Sequence, residues 1–169
     1  MSAAPSHASL DDRALSLVRS AFEHARTGDA EALRALLDLG VPPEVRNEKG
    51  DALLMLAAYH GHAAAARLLL ERGADPELRN DRGQSPLAGV AFKGDAALAA
   101  LLVEHGAAVD GADAEGRTPL MFAAMFDRVE VVEVLLARGA DPSRRDAAGA
   151  RAVDLARAMG AARAMARLG

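Results

Sequence analysis

An all-α solenoid, made by stacking copies of one helix-turn-helix unit, is the fold class this sequence predicts. Three glycine columns carry that expectation. Gly50, Gly83, Gly116 and Gly149 stand 33 residues apart. Gly40, Gly73, Gly106 and Gly139 keep the same interval, as do Gly28, Gly61, Gly94 and Gly160, with Asp127 filling the one gap. Three columns in one register, in a chain with 15 glycines, are not a chance arrangement. A fixed period of this size means that one supersecondary unit is copied and that each copy buries its apolar face only against its neighbours. Such an array presents an extended surface rather than a carved active site.

Composition fits thin, closely packed layers. The chain has 169 residues, of which 51% are apolar but only 3% aromatic, and alanine supplies much of the apolar share. That length is enough to bury a real core. The net charge of −4 argues against general nucleic-acid binding, which needs clustered cations to release counterions. Lys49 and Lys93 are the only lysines among the cations; we read the arginine bias as high-GC coding, hence bacterial. With no cysteine, disulfides, thiol catalysis and thiolate metal sites are excluded. Met1 to Ser9 is small and polar and reads as a flexible tail rather than a signal peptide. The longest uncharged run, Ala52 to Ala66, is too short to span a bilayer. A cytoplasmic protein without a membrane segment is the expectation.

Taken in order, five units are expected in a single domain from 10 to 169. The first, 10–46, lacks the turn glycine. Ser9-Leu10-Asp11-Asp12 reads as a capping box opening a long first helix, and Gly40-Val41-Pro42-Pro43 closes the unit. In the second unit, 47–79, Ala52-Leu53 stands where the next two units carry Ser/Thr-Pro, which weakens the helix cap but not the apolar face. Gly73-Ala74-Asp75-Pro76 ends it. The third, 80–112, opens with Gly83-Gln84-Ser85-Pro86-Leu87, and the fourth, 113–145, matches it with Gly116-Arg117-Thr118-Pro119-Leu120. There Thr118 caps a helix whose first residue, Pro119, needs no amide partner. Val129 to Leu136 follows with an apolar face at helical spacing, Gly139 sits where left-handed C-caps occur, and Pro142 stops the helix. The fifth, 146–169, has few large apolar residues and reads as the second terminal cap.

These strings resemble the ankyrin repeat, whose signature is a glycine turn, Thr-Pro-Leu-His, two alanines, Gly-His and a closing Gly-Ala-Asp. The resemblance covers roughly Asp11 to Gly169. It implies a solenoid of about five helix-turn-helix repeats with β-turn tips, atypical terminal caps and a binding role towards another protein. For the identity of that partner it is silent. The signature histidine after Pro-Leu is replaced by Met55, Ala88, Met121 and Asp154. In the family that histidine ties neighbouring turns together, so here other groups must do so.

Nothing in the sequence argues for catalysis. His60-Gly61-His62 is the nearest thing to a metal motif, but its spacing crosses an inter-helix turn and no cysteine or carboxylate cluster completes it. His62 also falls on the family's Gly-His position, where the residue is structural. No serine-histidine-acid arrangement or phosphate-cradling glycine cluster is present. We therefore expect no enzyme, cofactor or metal.

Position within the unit is more informative. Tyr59-His60, Phe92-Lys93 and Met125-Phe126 end successive first helices, just before the inter-helix glycine column, and in stacked repeats these positions recur along one concave face. They form a candidate partner-binding stripe, since aromatics and methionine are favoured anchors. For Phe92 and Met125, packing on the next repeat is an equal alternative. Phe22 and Phe122 fall elsewhere and are assigned to the core. Turn-tip residues Lys49, Asp51, Arg82, Gln84, Glu115 and Arg117 form a second polar surface, and the resemblance implies that tips and concave helix ends act together. From Arg144 to Gly169 six arginines face Asp146 and Asp154, a local balance of +4. We read these arginines as a solubility device; no aromatic is interleaved to make a nucleic-acid surface. The expected protein is a monomeric module binding another protein. The resemblance also implies an alternative, an accessory factor for one dedicated enzyme such as a catalase in stress response.

Overall fold

The protein is described from a computed structural model covering residues 7–169. Among these residues it forms ten helices and one isolated bridge, between Arg46 and Ala52. The first helices of successive units are α1 (His7–Thr27), α3 (Leu53–Tyr59), α5 (Pro86–Lys93), α7 (Pro119–Met125) and α9 (Ala152–Met159). The second helices are α2 (Ala30–Asp38), α4 (Ala63–Glu71), α6 (Ala96–Glu104), α8 (Val129–Ala137) and α10 (Ala162–Leu168). First helices pack on first helices and second on second, which makes a two-layer stack. The second helices start 33 residues apart throughout, and the first helices do so from α3 onward.

Turn and cap chemistry follows the sequence. All twelve column glycines have φ between +70° and +98°. The Ser85 hydroxyl accepts from the Ala88 amide at 3.2 Å and Thr118 Oγ1 from the Met121 amide at 3.3 Å, while Ala52 caps nothing. Helix α3 holds without a cap because Leu53 to Ala58 are all buried. One correction concerns the amino-terminal end. Helix α1 already runs from His7, so Ser9 lies inside it rather than at its cap. The reason is visible in the sequence, which has no glycine or proline between Pro5 and Gly28 to set a later start. The rest of the tail assignment, 1–6, lies outside the described residues.

The core is made of columns. Leu54, Leu87 and Leu120 are at most 1% exposed, and Leu69, Leu102 and Leu135 are fully buried at the matching position of the second layer. Each such leucine contributes about 1.5–3 kcal/mol by leaving water.

A fourth column accompanies the three of glycine. The side chains of Asn47, Asn80, Asp113 and Asp146 each accept two amides of their own turn, at positions two and four residues on, over 2.8–3.1 Å. These Asx turns shape the tips. Neighbouring tips are then tied without the signature histidine. The Asp81 amide donates to the Lys49 carbonyl at 3.1 Å, and the Ala147 amide to the Glu115 carbonyl at 2.8 Å. Asn80 Nδ2 donates to Asp51 Oδ1 at 2.9 Å, and the Arg46 guanidinium donates to the Arg79 carbonyl. At the histidine position of the last unit, Asp154 accepts from both the Arg151 amide and its guanidinium Nε at 3.0 Å. That pairing lowers the carboxyl from 3.8 to about 2. Its folded value is depressed, so its stabilisation is present above the ordinary carboxyl range and is lost as the pH falls towards 2.

The arginines of the last unit have a more specific role than solubility. Arg163 and Arg167 of α10 reach Glu130 and Glu133 of α8 at 2.8 and 3.3 Å, continuing the inter-unit pairs Arg72–Asp38 and Arg138–Glu104 at 2.7 Å. These pairs are exposed and individually weak, yet they align successive second helices.

Asp127 explains its own departure from glycine. It is the one non-glycine among the described residues with positive φ, +54°. Asp29 and Asp95 cap α2 and α6 by accepting the Ala32 and Leu98 amides at 3.0 Å. The equivalent residue before α10 is Ala161, which has no acceptor. Asp127 Oδ1, from the preceding unit, takes the Ala164 amide instead at 2.8 Å. Asp127→Ala keeps the unfavourable φ and loses the cap, so it should cost about 1–2 kcal/mol in urea unfolding. Asp127→Gly also loses the cap but relieves the backbone, and should stay within about 1 kcal/mol of the parent. An unchanged Asp127→Ala protein would remove the capping role.

Candidate partner-binding groove

The first helices and the turn tips enclose a groove of about 910 Å³. Its floor is the exposed side of α3 and α5, extended by Phe122 of α7. One wall is the row of tips, with Lys49, Asp51, Arg82 and Gln84. The other wall is α1, which presents Leu15, Val18, Arg19, Phe22, Glu23 and Arg26. Those six are spaced by three and four residues, one stripe of a helix. Helix α1 has 21 residues where the other first helices have seven or eight, so it overhangs the stack.

Seven of the twelve candidate contact residues line this groove: Lys49, Asp51, Tyr59, His60, Arg82, Gln84 and Phe92. Tyr59 and Phe92 are 38% and 36% exposed, high for large apolar side chains at the centre of a molecule. Burial pushes the His60 imidazole below its usual value, and His62, Arg26 and Lys93 push it the same way. His60 therefore presents a neutral ring at neutral pH. His62 Nε2 lies 2.8 Å from the Arg26 carbonyl and ties α4 to the first unit, which is a structural role. Arg128 makes the corresponding contact two units on, donating from Nε to the Phe92 carbonyl at 3.1 Å.

The remaining five candidates sit elsewhere. Lys93 turns to the far side of Tyr59, its Nζ 5.0 Å from the ring centroid, beside a shallow hollow with Gly61 and Asp95. Phe126 is half-buried and meets Phe92 edge-on at 4.6 Å between centroids, so it supports the stripe from behind; Met125 is likewise half-buried. Arg117 is held by Asp113 and Glu115, at 2.9 and 3.0 Å, and its guanidinium lies 5.1 Å from the Phe122 ring centroid. Neither Glu115 nor Arg117 reaches the groove.

Two assignments need correction. Phe22 and Phe122 pack against the core but are only half-buried, and both face the groove. Their rings stand where the floor meets α1 and α7, with no further layer above to cover them. The α1 wall is the feature that register alone does not reveal. Its signal is present in the sequence as the stripe from Leu15 to Arg26, but an apolar stripe on a terminal helix reads first as the inner face of a cap.

Among the described residues no cluster of three or more histidines or carboxylates is placed to hold a metal ion. None of their helices is long and apolar enough to cross a membrane.

Stacked helix pairs at a 33-residue period, with glycine tips and a concave groove, define a helical-repeat protein. Comparison with known proteins gives the family. A description of ankyrin repeats in three copies matches residues 72–146, and a second, of ankyrin repeats in many copies, matches 36–89. The chain belongs to the ankyrin-repeat family. It is similar to an ankyrin repeat protein of Pseudomonas aeruginosa, with 52% identity over 53 residues. That stretch covers 31% of this chain and 31% of the relative, so the chain matches under a third of the relative's length.

Proposed function

We propose that the protein is a non-enzymatic interaction module, monomeric and cytoplasmic, that holds a segment of another protein in the groove between α1, the first helices and the turn tips. Ankyrin repeats are protein-interaction modules as a class, and the observation that carries the reading here is the pair of exposed rings. Tyr59 and Phe92 lie on the floor of a concavity large enough for several side chains, with polar tips along its edge. Central aromatic anchors inside a polar rim are the arrangement in which a few residues supply most of the binding energy. Lys49, Asp51, Arg82 and Gln84 serve as the rim.

Affinity capture from the cell of origin, followed by mass spectrometry, tests this. A Tyr59→Ala, Phe92→Ala double variant should keep its helical signal, since neither ring is in the core. It should lose at least about 2 kcal/mol of binding, roughly thirtyfold in affinity. A folded double variant that captures the same partners as well as the parent would sink the reading.

A further inference from the structure

Gly89 is unexplained by the fold. It lies inside α5 (Pro86–Lys93), where glycine is the poorest helix residue after proline. Its backbone does not have the positive φ that glycine alone tolerates. A Cβ there would sit 3.5 Å from Tyr59 Cδ2 and 3.9 Å from the Met55 sulfur, ordinary contact distances. Neither a turn nor a close approach therefore requires glycine. The same position holds Leu56 one unit earlier and Phe122 one unit later, and all three residues line the groove. The missing side chain leaves a notch in an otherwise apolar floor, beside Tyr59 and Met55.

Charge around the notch is inverted relative to the whole chain. The protein carries −4. Within the groove, the carboxylates are mostly engaged: Glu23 pairs with Arg26 at 3.2 Å, Asp113 with Arg117 at 2.9 Å, and Asp51 accepts from Asn80 at 2.9 Å. The side chains of Arg19, Lys49 and Arg82 have no ion pair or hydrogen bond among the described residues, and Glu48 is the one lining carboxylate in the same state. The unpaired charge facing a ligand is thus cationic.

We propose that the groove takes an acidic peptide segment of a partner protein. One bulky apolar side chain of that segment enters the notch at Gly89, and carboxylates on either side of it meet Arg19, Lys49 and Arg82. This rests on the groove reading above and specifies its occupant. The mid-helix glycine is retained because a larger residue would fill the seat of the anchor, and the unpaired cations select the sign of the flanks.

Selection of a random peptide library displayed on phage against the full chain supplies the probe, and labelled synthetic copies of the enriched peptides give affinities by fluorescence anisotropy. Enriched sequences should be rich in Asp and Glu around one Leu, Phe, Trp or Met. Gly89→Met should weaken them about tenfold or more, as should the Lys49→Glu, Arg82→Glu double variant. Binding to the parent should fall with added salt. Gly89→Ala serves as the folding control: it should raise the urea midpoint, showing that a side chain at this position does not disrupt the helix. Basic or anchorless peptides, an absence of enrichment, or full affinity in a folded Gly89→Met variant would each overturn the proposal. Basic peptides that still depend on Tyr59 and Phe92 would do so while leaving the groove reading in place. Peptides indifferent to Tyr59→Ala and Phe92→Ala would remove both.

Discussion

Gly50→Ala is expected to destabilise the protein by about 2–5 kcal/mol, far more than the same change at another turn glycine. Gly50 has φ +74°, and a non-glycine residue held there costs about 1–2 kcal/mol by itself. The greater part of the loss is steric. A Cβ at Gly50 would lie 2.8 Å from the backbone nitrogen of Asp81, the amide that donates to the Lys49 carbonyl and ties the second tip to the third. Backbone cannot rotate away as a side chain would, so the two tips must separate. Overpacking of this kind adds about 1–3 kcal/mol. Gly83 supplies the control. It has φ +72° and no atom within 4 Å of where a methyl group would sit, so Gly83→Ala should show the backbone cost alone. Urea unfolding of the two variants side by side measures the difference. Because Lys49 and Asp51 flank Gly50 and line the groove, Gly50→Ala should also weaken peptide binding. Equal losses at both positions would mean that the tip-to-tip contact carries no weight.

That contrast also marks what is legible in the sequence. Periodic glycines report a local backbone need, and so the unit, its helices and its turns can be read directly. The helix starts at 53, 86, 119 and 152 repeat the glycine interval. The same columns say nothing about which glycine meets a neighbour, since that depends on how far one tip leans on the next. The Asx column at Asn47, Asn80, Asp113 and Asp146 keeps the same interval. It is harder to see because the column mixes asparagine with aspartate, and both are common in any loop.

The groove is half legible. Residues placed by register, such as Tyr59, Phe92 and the tips at 49, 51, 82 and 84, fall on the expected face. Register within a repeat cannot predict what a non-repeating element does, and α1 is the element that departs from the repeat. Its extra length makes a wall, turns Phe22 towards the groove and closes one side. Phe126 and Met125 depart from expectation for the opposite reason. They occupy the right register but are half-buried, and for Phe126 the edge-on contact with Phe92 uses the ring that an exposed anchor would offer. Gly89 carries no turn signal, because its φ is an ordinary one; its meaning is the side chain that its neighbours have and it lacks.

Removal of Arg151 to Gly169 should give a protein that is less soluble and less stable by about 2–4 kcal/mol, on the order of one unit and one interface, but still substantially helical. Helices α9 and α10 pack on α7 and α8, so their loss uncovers the face that carries Leu120, Val131 and Leu135, all now fully buried. An exposed apolar face of that size promotes association. Glu130 and Glu133 lose Arg163 and Arg167, and Asp127 keeps its positive φ with no amide left to cap. Damage should therefore concentrate in the fourth unit. The first three units contact only their neighbours, and the groove floor at Tyr59, Gly89 and Phe92 lies within them. Circular dichroism should retain most of the helical signal per residue, size-exclusion chromatography should show added aggregate, and the soluble fraction should bind acidic peptide as the full chain does. A soluble, monomeric truncation with no helical signal would mean that the last unit holds the whole array together, and stacking by nearest neighbours would not describe this protein.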